Sequence, residues 1–284
     1  MKLLSFERQG KNSFGLVTTD GKGVIDLGVA LDHRYPDLQS LLRADALGEA
    51  RQCMDRAPDF ELTDVKLLPV IPNPSKIWCV GLNYGEHVQE TGNKESEQPI
   101  FFLRVADSQV GHGEPIARPP ESVTLDYEGE IAIIIGKPGR RISEADAWDH
   151  IAGYACYNDG SVREWQMHTP QWSPGKNFWH TGAFGPWMVT TDEIPADTVM
   201  TLTTRLNGAE VQRATTQMML CSIPRQIAYA STIAPLQPGD VIVTGTPGGI
   251  GAKRTPPLWM KAGDVVEVEV DHIGVLRNPV VDEA

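Results

Sequence analysis

From Met1 to Asp20 apolar and polar residues alternate (MKLLSFERQGKNSFGLVTTD), and a DG turn at Asp20–Gly21 leads into GVIDL. A period of two broken by turn residues predicts a short β-meander. The period then lengthens. Between Tyr35 and Met54 the apolar positions are Leu38, Leu41, Leu42, Leu47 and Ala50, behind Pro36; this is helical spacing with proline near the start. Residues 67–76, LLPVIPNPSK, hold three prolines and mark a boundary. The pattern thus predicts a small N-terminal domain over residues 1–70 and a larger domain over 71–284. In the larger part, strands are predicted at Ile77–Val80, Glu130–Ile135, Ile151–Tyr157, Val241–Thr244 and Val265–Val270. A hairpin is predicted over Thr201–Gln212 around Asn207–Gly208, and a helix over Ser222–Ile233. The fold class expected is α+β, mostly β.

Composition narrows the partners. The 284 residues suffice for a sizeable core without disulfides. The formal net charge of −12 argues against nucleic acid or an anionic membrane surface as partner. An anionic small molecule stays admissible, because a local cation reverses the field inside a pocket. Cys53, Cys79, Cys156 and Cys221 are scattered, without metal-ligand spacing, and read as reduced thiols. The first residues lack the apolar core of a signal peptide, and no apolar run approaches the roughly 18 residues of a membrane helix. A cytoplasmic protein is expected.

Four stretches carry candidate chemistry. In Asp126-Tyr127-Glu128-Gly129-Glu130, the two glutamates lie two apart and so share one face of a strand. The strand Ile151–Tyr157 ends in Asn158-Asp159, which a neighbouring position would bring to the same spot. Three carboxylates without Cys or His suit a hard cation such as Mg²⁺, Mn²⁺ or Ca²⁺. An exposed strand face would show the same E-x-E pattern. His87 and Glu90, at i and i+3, form a pair able to act as a general base, or else a solvated helical pair. The polar TGNKESEQP stretch after them has the character of a closing lid. Arg163 and Lys176 are candidates to hold a substrate carboxylate or an enolate oxygen, or are surface cations. Thr244-Gly245-Thr246-Pro247-Gly248-Gly249 follows a strand but lacks a nucleotide-binding ending, which leaves a substrate-contacting turn or a plain one.

In order, GLNYGEHVQETG, LDYEGEIAIIIGK, GYACYNDGSVREWQ, GKNF, GPW, NGAEVQ, PGDVIVTGTPGGIG and KAGDVVEVEVDHIG resemble the fumarylacetoacetate hydrolase family over residues 76–280. The resemblance implies a mixed β-sandwich roll around a metal, preceded by a small domain and assembled as a homodimer. It implies Glu128, Glu130 and Asp159 as metal ligands, with Mg²⁺ first, Mn²⁺ next and Ca²⁺ admissible. It implies His87 and Glu90 as a water-activating dyad on a lid, with Lys176 as a further catalytic group. Tyr84, Arg104, Arg163, Gln166 and Thr246 would contact a small anionic oxo-acid. The activity implied is C–C hydrolysis of a 2,4-dioxo-acid such as an acylpyruvate, in the catabolism of aromatic compounds. The alternatives are decarboxylation of an oxaloacetate-type acid, or isomerisation or hydration of a 2-oxo-enoate such as 2-hydroxyhepta-2,4-diene-1,7-dioate. Two positions depart from the family's habit: Arg104 where lysine is common, and Trp179 where aspartate is common. Trp165, Trp172 and Trp179 read as core aromatics or as walls of a pocket for a bulkier acyl group.

Overall fold

The computed structural model describes residues 1–284. The alternating N-terminal segment forms the strands Lys2–Arg8, Lys11–Val17 and Gly23–Asp26. The first two are joined at Gln9–Gly10, where both residues have positive φ (52° and 74°), as a two-residue hairpin turn requires. The helical stretch divides into Leu38–Arg43 and Leu47–Gln52. Asp37 caps the first by accepting from the Ser40 N–H at 2.7 Å. Asp45, at φ +54°, interrupts the helical path between them.

These strands do not form a sheet of their own. Lys2–Arg8 pairs antiparallel with Gly182–Thr190, registering Lys2 on Val189 and Leu3 on Met188. The N-terminal strands thereby extend a mixed twelve-stranded sheet, whose further order is Gly182–Thr190, Ile151–Asn158, Gly129–Ile135, Val241–Val243, Ile77–Gly81 and Ile100–Arg104. A second, five-stranded sheet holds the Thr201–Leu206 and Ala209–Thr215 hairpin, Val265–Val270, Gly274–Asp282 and Ile116–Arg118. The hairpin turns at Asn207–Gly208, again with two positive φ values.

The uninterrupted apolar run EIAIII is explained by burial of both faces of its strand. Ile131, Ile133 and Ile135 enter a core shared with Leu202, Val266 and Val268 of the smaller sheet and with Ile227 of the helix Ile223–Ile233. Ala132 and Ile134 enter a second core with Leu3, Phe14, Leu38 and Leu41 of the N-terminal segment. No helix is long and apolar enough to cross a membrane. Gly182–Thr190 escapes a reading by pattern because Gly185 and Pro186 interrupt it. In the fold they lie where its register with Ile151–Asn158 shifts, and proline is tolerated at such an irregularity.

Candidate metal centre and active site

Strand pairing brings the acidic residues together. Gly129–Ile135 registers Gly129 on Asn158 and Glu130 on Tyr157. One step beyond the ladder the Asp159 N–H donates to the Glu128 carbonyl at 2.8 Å. Glu128, Glu130 and Asp159 therefore share one end of one sheet face. They are buried, and one carboxylate oxygen from each lies within 4.8 Å of the others. Gly129 between the glutamates has to be glycine: a Cβ there would sit 1.9 Å from Thr204 Oγ1.

Three cations answer these carboxylates. Lys176, at the end of the short helix Ser173–Lys176, places Nζ 2.7 Å from both Glu128 Oε2 and Asp159 Oδ2. Arg163 Nη1 lies 2.6 Å from Glu128 Oε1, and its Nε donates to Asp126 Oδ2 at 2.9 Å. Arg104 pairs with Asp159 Oδ1. Burial works against ionisation of Glu128, but the charges of Lys176 and Arg163 outweigh it and hold this carboxyl well below the usual range. Glu130 has no cation of its own. Burial, and then the charges of Asp159 and Glu128, push its carboxyl well above the ordinary value. Burial also works to lower Lys176, yet Asp159 and Glu128 win and raise it, so the ammonium is kept. An all-oxygen, buried, anionic donor set with one carboxyl short of a counter-charge fits a hard divalent cation.

His87 comes from the helix Gly85–Thr91, which ends at Gly92 with φ 74°. Its Nδ1 lies 2.8 Å from Glu90 Oε1, and Glu90 Oε2 accepts from the Gly249 N–H at 2.9 Å. The TGTPGG turn thus anchors the dyad at one end. At the other, Gly245 N–H donates to Glu130 Oε2, and Thr246 Oγ1 donates to the Gly129 carbonyl at 3.0 Å.

A cavity of about 280 Å³ joins these groups; Glu128, Glu130, His87, Lys176, Arg163, Gln166 and Thr246 line it. Two expected substrate contacts are corrected. Tyr84 is fully buried and off the cavity wall, and Arg104 stands behind Asp159, away from the cavity. Of the three tryptophans only Trp172 lines the cavity, packed on Phe102 and on Gly81. Trp165 packs edge-on to Phe178, and Trp179 stacks on His180, half exposed.

Sequence reasoning missed Asp126 and Lys253. Asp126 accepts from the N–H groups of Gly251 and Ala252 at 2.8 and 2.9 Å while holding Arg163; it ties the glycine turn to the substrate-side cation. Its place two residues before Glu128 was the available signal. Lys253, exposed on the cavity wall, carries no local signal at all.

Residues 76–281 match the C-terminal domain of fumarylacetoacetate (FAA) hydrolase. The chain is 40% identical over 289 residues to an oxaloacetate tautomerase, fahd2, mitochondrial, of Xenopus laevis, covering 99% of this chain and 90% of that relative. Its structure is similar to that of a putative HpcE protein from Mycobacterium smegmatis (TM-score 0.91, 32% identity, 100% of both chains). It is also similar to maleylpyruvate hydrolase from Sphingobium sp. SYK-6 with manganese(II) and pyruvate (TM-score 0.82, 28% identity, 100% of both chains).

Proposed function

The chain belongs to the fumarylacetoacetate hydrolase family, and from that premise we propose that it interconverts the keto and enol forms of a small 2-oxo-dicarboxylic acid of the oxaloacetate type, with Mg²⁺ or Mn²⁺ held by Glu128, Glu130 and Asp159. The observation that carries this reading is the His87–Glu90 pair, with His87 on the wall of a cavity that Glu128 and Glu130 of the triad also line. When bound, the cation would supply Lewis acidity toward the substrate's oxo and carboxylate oxygens.

The chain's own groups supply the proton transfer. Glu90 fixes the proton of His87 on Nδ1, which leaves Nε2 with a free lone pair as base. Nε2 takes a proton from C3 of the substrate, and the C–H electron pair becomes the C2=C3 bond. The charge moves to the C2 oxygen, which takes a proton from solvent, and His87 then releases the proton it took from C3 to solvent. Lys176 and Arg163 stay cationic and stabilise the developing negative oxygen without titrating. Lys253 makes no ion pair and offers a contact for the second carboxylate of a dicarboxylic acid. Phe102 and Trp172 close the apolar side.

The high identity to an oxaloacetate tautomerase across nearly the whole chain supports enolisation. C–C hydrolysis of a 2,4-dioxo-acid, the first expectation from the sequence, is the second reading, because the same base can activate water and a maleylpyruvate hydrolase shares the fold. NMR of products from oxaloacetate and from acetylpyruvate with Mg²⁺ separates the two. Accelerated keto–enol exchange of oxaloacetate without cleavage of acetylpyruvate is the expected result; two acids from acetylpyruvate and no accelerated exchange would overturn it.

A further inference from the structure

Each carboxylate of the triad is engaged on one side by a fixed donor of the protein. Asp159 Oδ1 takes Arg104 Nη1, Glu128 Oε1 takes Arg163 Nη1, and Glu130 Oε2 takes the Gly245 N–H. The other oxygens form a different set. Glu128 Oε2 and Asp159 Oδ2 converge on one point, the Lys176 ammonium, at 2.7 Å each. Glu130 Oε1 is left without a protein donor.

Arg104 is the most extensively hydrogen-bonded of the three fixed donors. Its side chain is fully buried. Nε donates to Ser108 Oγ at 3.2 Å, Nη1 to the Gly160 carbonyl at 2.9 Å and Nη2 to Thr181 Oγ1 at 3.1 Å. The backbone leaves room for this fork, since a Cβ on Gly182 would lie 2.7 Å from Nη2. A guanidinium held by four further acceptors, the Ser108 carbonyl at 3.4 Å being the fourth, fixes direction as well as charge, which a lysine ammonium does not.

We propose that Arg104, Arg163 and the Gly245 N–H hold back one oxygen of each carboxylate, leaving Glu130 Oε1 and the two oxygens now bonded to Lys176 to face an ion that would displace that ammonium, so that the triad selects small six-coordinate cations against Ca²⁺, and that Arg104 is the positioning residue that enforces this on Asp159. Three single oxygens leave three positions of an octahedron for water or substrate, as Mg²⁺ and Mn²⁺ accept. Ca²⁺ favours six to eight oxygens and gains from two-oxygen carboxylates. An Asp159 released from Arg104 can turn both oxygens to the ion. This inference rests on the metal reading of the site and adds to it a reason for selectivity.

The test is calorimetric titration of Mg²⁺, Mn²⁺ and Ca²⁺ into metal-free wild type, Arg104→Lys and Thr181→Val, with folding checked by circular dichroism. Thr181→Val keeps the guanidinium and removes one of its anchors, so it remains informative where Arg104→Lys does not fold. Wild type is expected to bind Mg²⁺ at least about tenfold more tightly than Ca²⁺. Arg104→Lys is expected to shift the ratio toward Ca²⁺ by about tenfold, and Thr181→Val in the same direction by less. An unchanged ratio in the folded variants, or a wild type that favours Ca²⁺, overturns the proposal while leaving the metal reading intact. A wild type that binds no divalent ion overturns both.

Discussion

At the scale of single residues, the site is a contest between burial and charge, and the outcome differs among its three carboxylates. Glu128 is held ionised by two cations, whereas Glu130 is pushed well above its ordinary value. A proton on Glu130 has to leave before this oxygen can bind an ion. Affinity for Mg²⁺ is therefore expected to weaken as pH falls, with release of a proton on binding. Without metal, the folded chain keeps a proton that the unfolded chain has shed, from the ordinary glutamate value of about 4.3 upward. Stability of the metal-free protein then declines as pH rises through that window, and Mg²⁺ reverses the loss. Titration in two buffers of different ionisation heat measures the proton. Melting at roughly pH 6 and roughly pH 8 should show a larger Mg²⁺-induced gain in Tm at the higher value. Binding that is independent of pH would contradict the Glu130 assignment. For the base, His87→Gln should lower the enolisation rate by at least ~10² with Mg²⁺ affinity kept; stopped-flow rates and calorimetry check the two halves separately. Most of these residues were legible in the sequence, because E-x-E in a strand and His-x-x-Glu in a helix place their side chains by local geometry alone. Arg104 was not, since nothing in a strand's own sequence tells whether a polar residue faces a cavity or the back of a neighbour's carboxylate; nor was Tyr84, whose burial at the start of the helix Gly85–Thr91 is set by tertiary packing.

At the scale of elements, the turn Thr244–Gly249 links the metal side to the base. Gly245 bonds Glu130, and Gly249 bonds Glu90. Gly249 has φ 102°, and a Cβ there would meet the Val211 carbonyl oxygen at 2.3 Å. The obstacle is backbone, so the turn itself must shift. Gly249→Ala is therefore expected to unseat Glu90 and lower kcat by roughly tenfold or more, with metal affinity nearly unchanged because the triad lies at the far end of the turn. A loss of metal binding equal to the loss of rate would place the damage elsewhere. The glycine-rich run could be seen in the sequence as a turn; its role as an anchor for the dyad could not, because the partner helix lies about 160 positions away in the chain. Strand and hairpin signals read correctly wherever the period of two or an Asn-Gly pair was intact. They failed at Gly182–Thr190, where glycine and proline sit at a register shift that only the neighbouring strand reveals.

At the scale of the whole molecule, the proline-rich stretch at residues 67–76 suggests a division that the sheet crosses. Lys2–Arg8 pairs with Gly182–Thr190, and the second core joins Leu3, Phe14, Leu38 and Leu41 to Ala132, Ile134, Tyr157, Phe184 and Met188. That core lies on the sheet face that carries Glu128, Glu130 and Asp159 at its end, and Tyr157 is two residues before Asp159. A chain of residues 71–284 would open one edge of the Gly182–Thr190 strand and uncover several large apolar side chains. Each such side chain is stabilised by about 1.5–3 kcal/mol when fully buried, against a total stability of about 5–15 kcal/mol for a typical protein. Loss of cover over even a few of them removes most of that margin, and the open strand edge adds a route to aggregation. The shortened chain is thus expected to lose cooperative unfolding in urea, near-ultraviolet circular dichroism and Mg²⁺ binding together. A cooperative transition with metal binding retained would show that the catalytic part folds alone, and that the N-terminal strands only extend a sheet already able to hold its carboxylates in place.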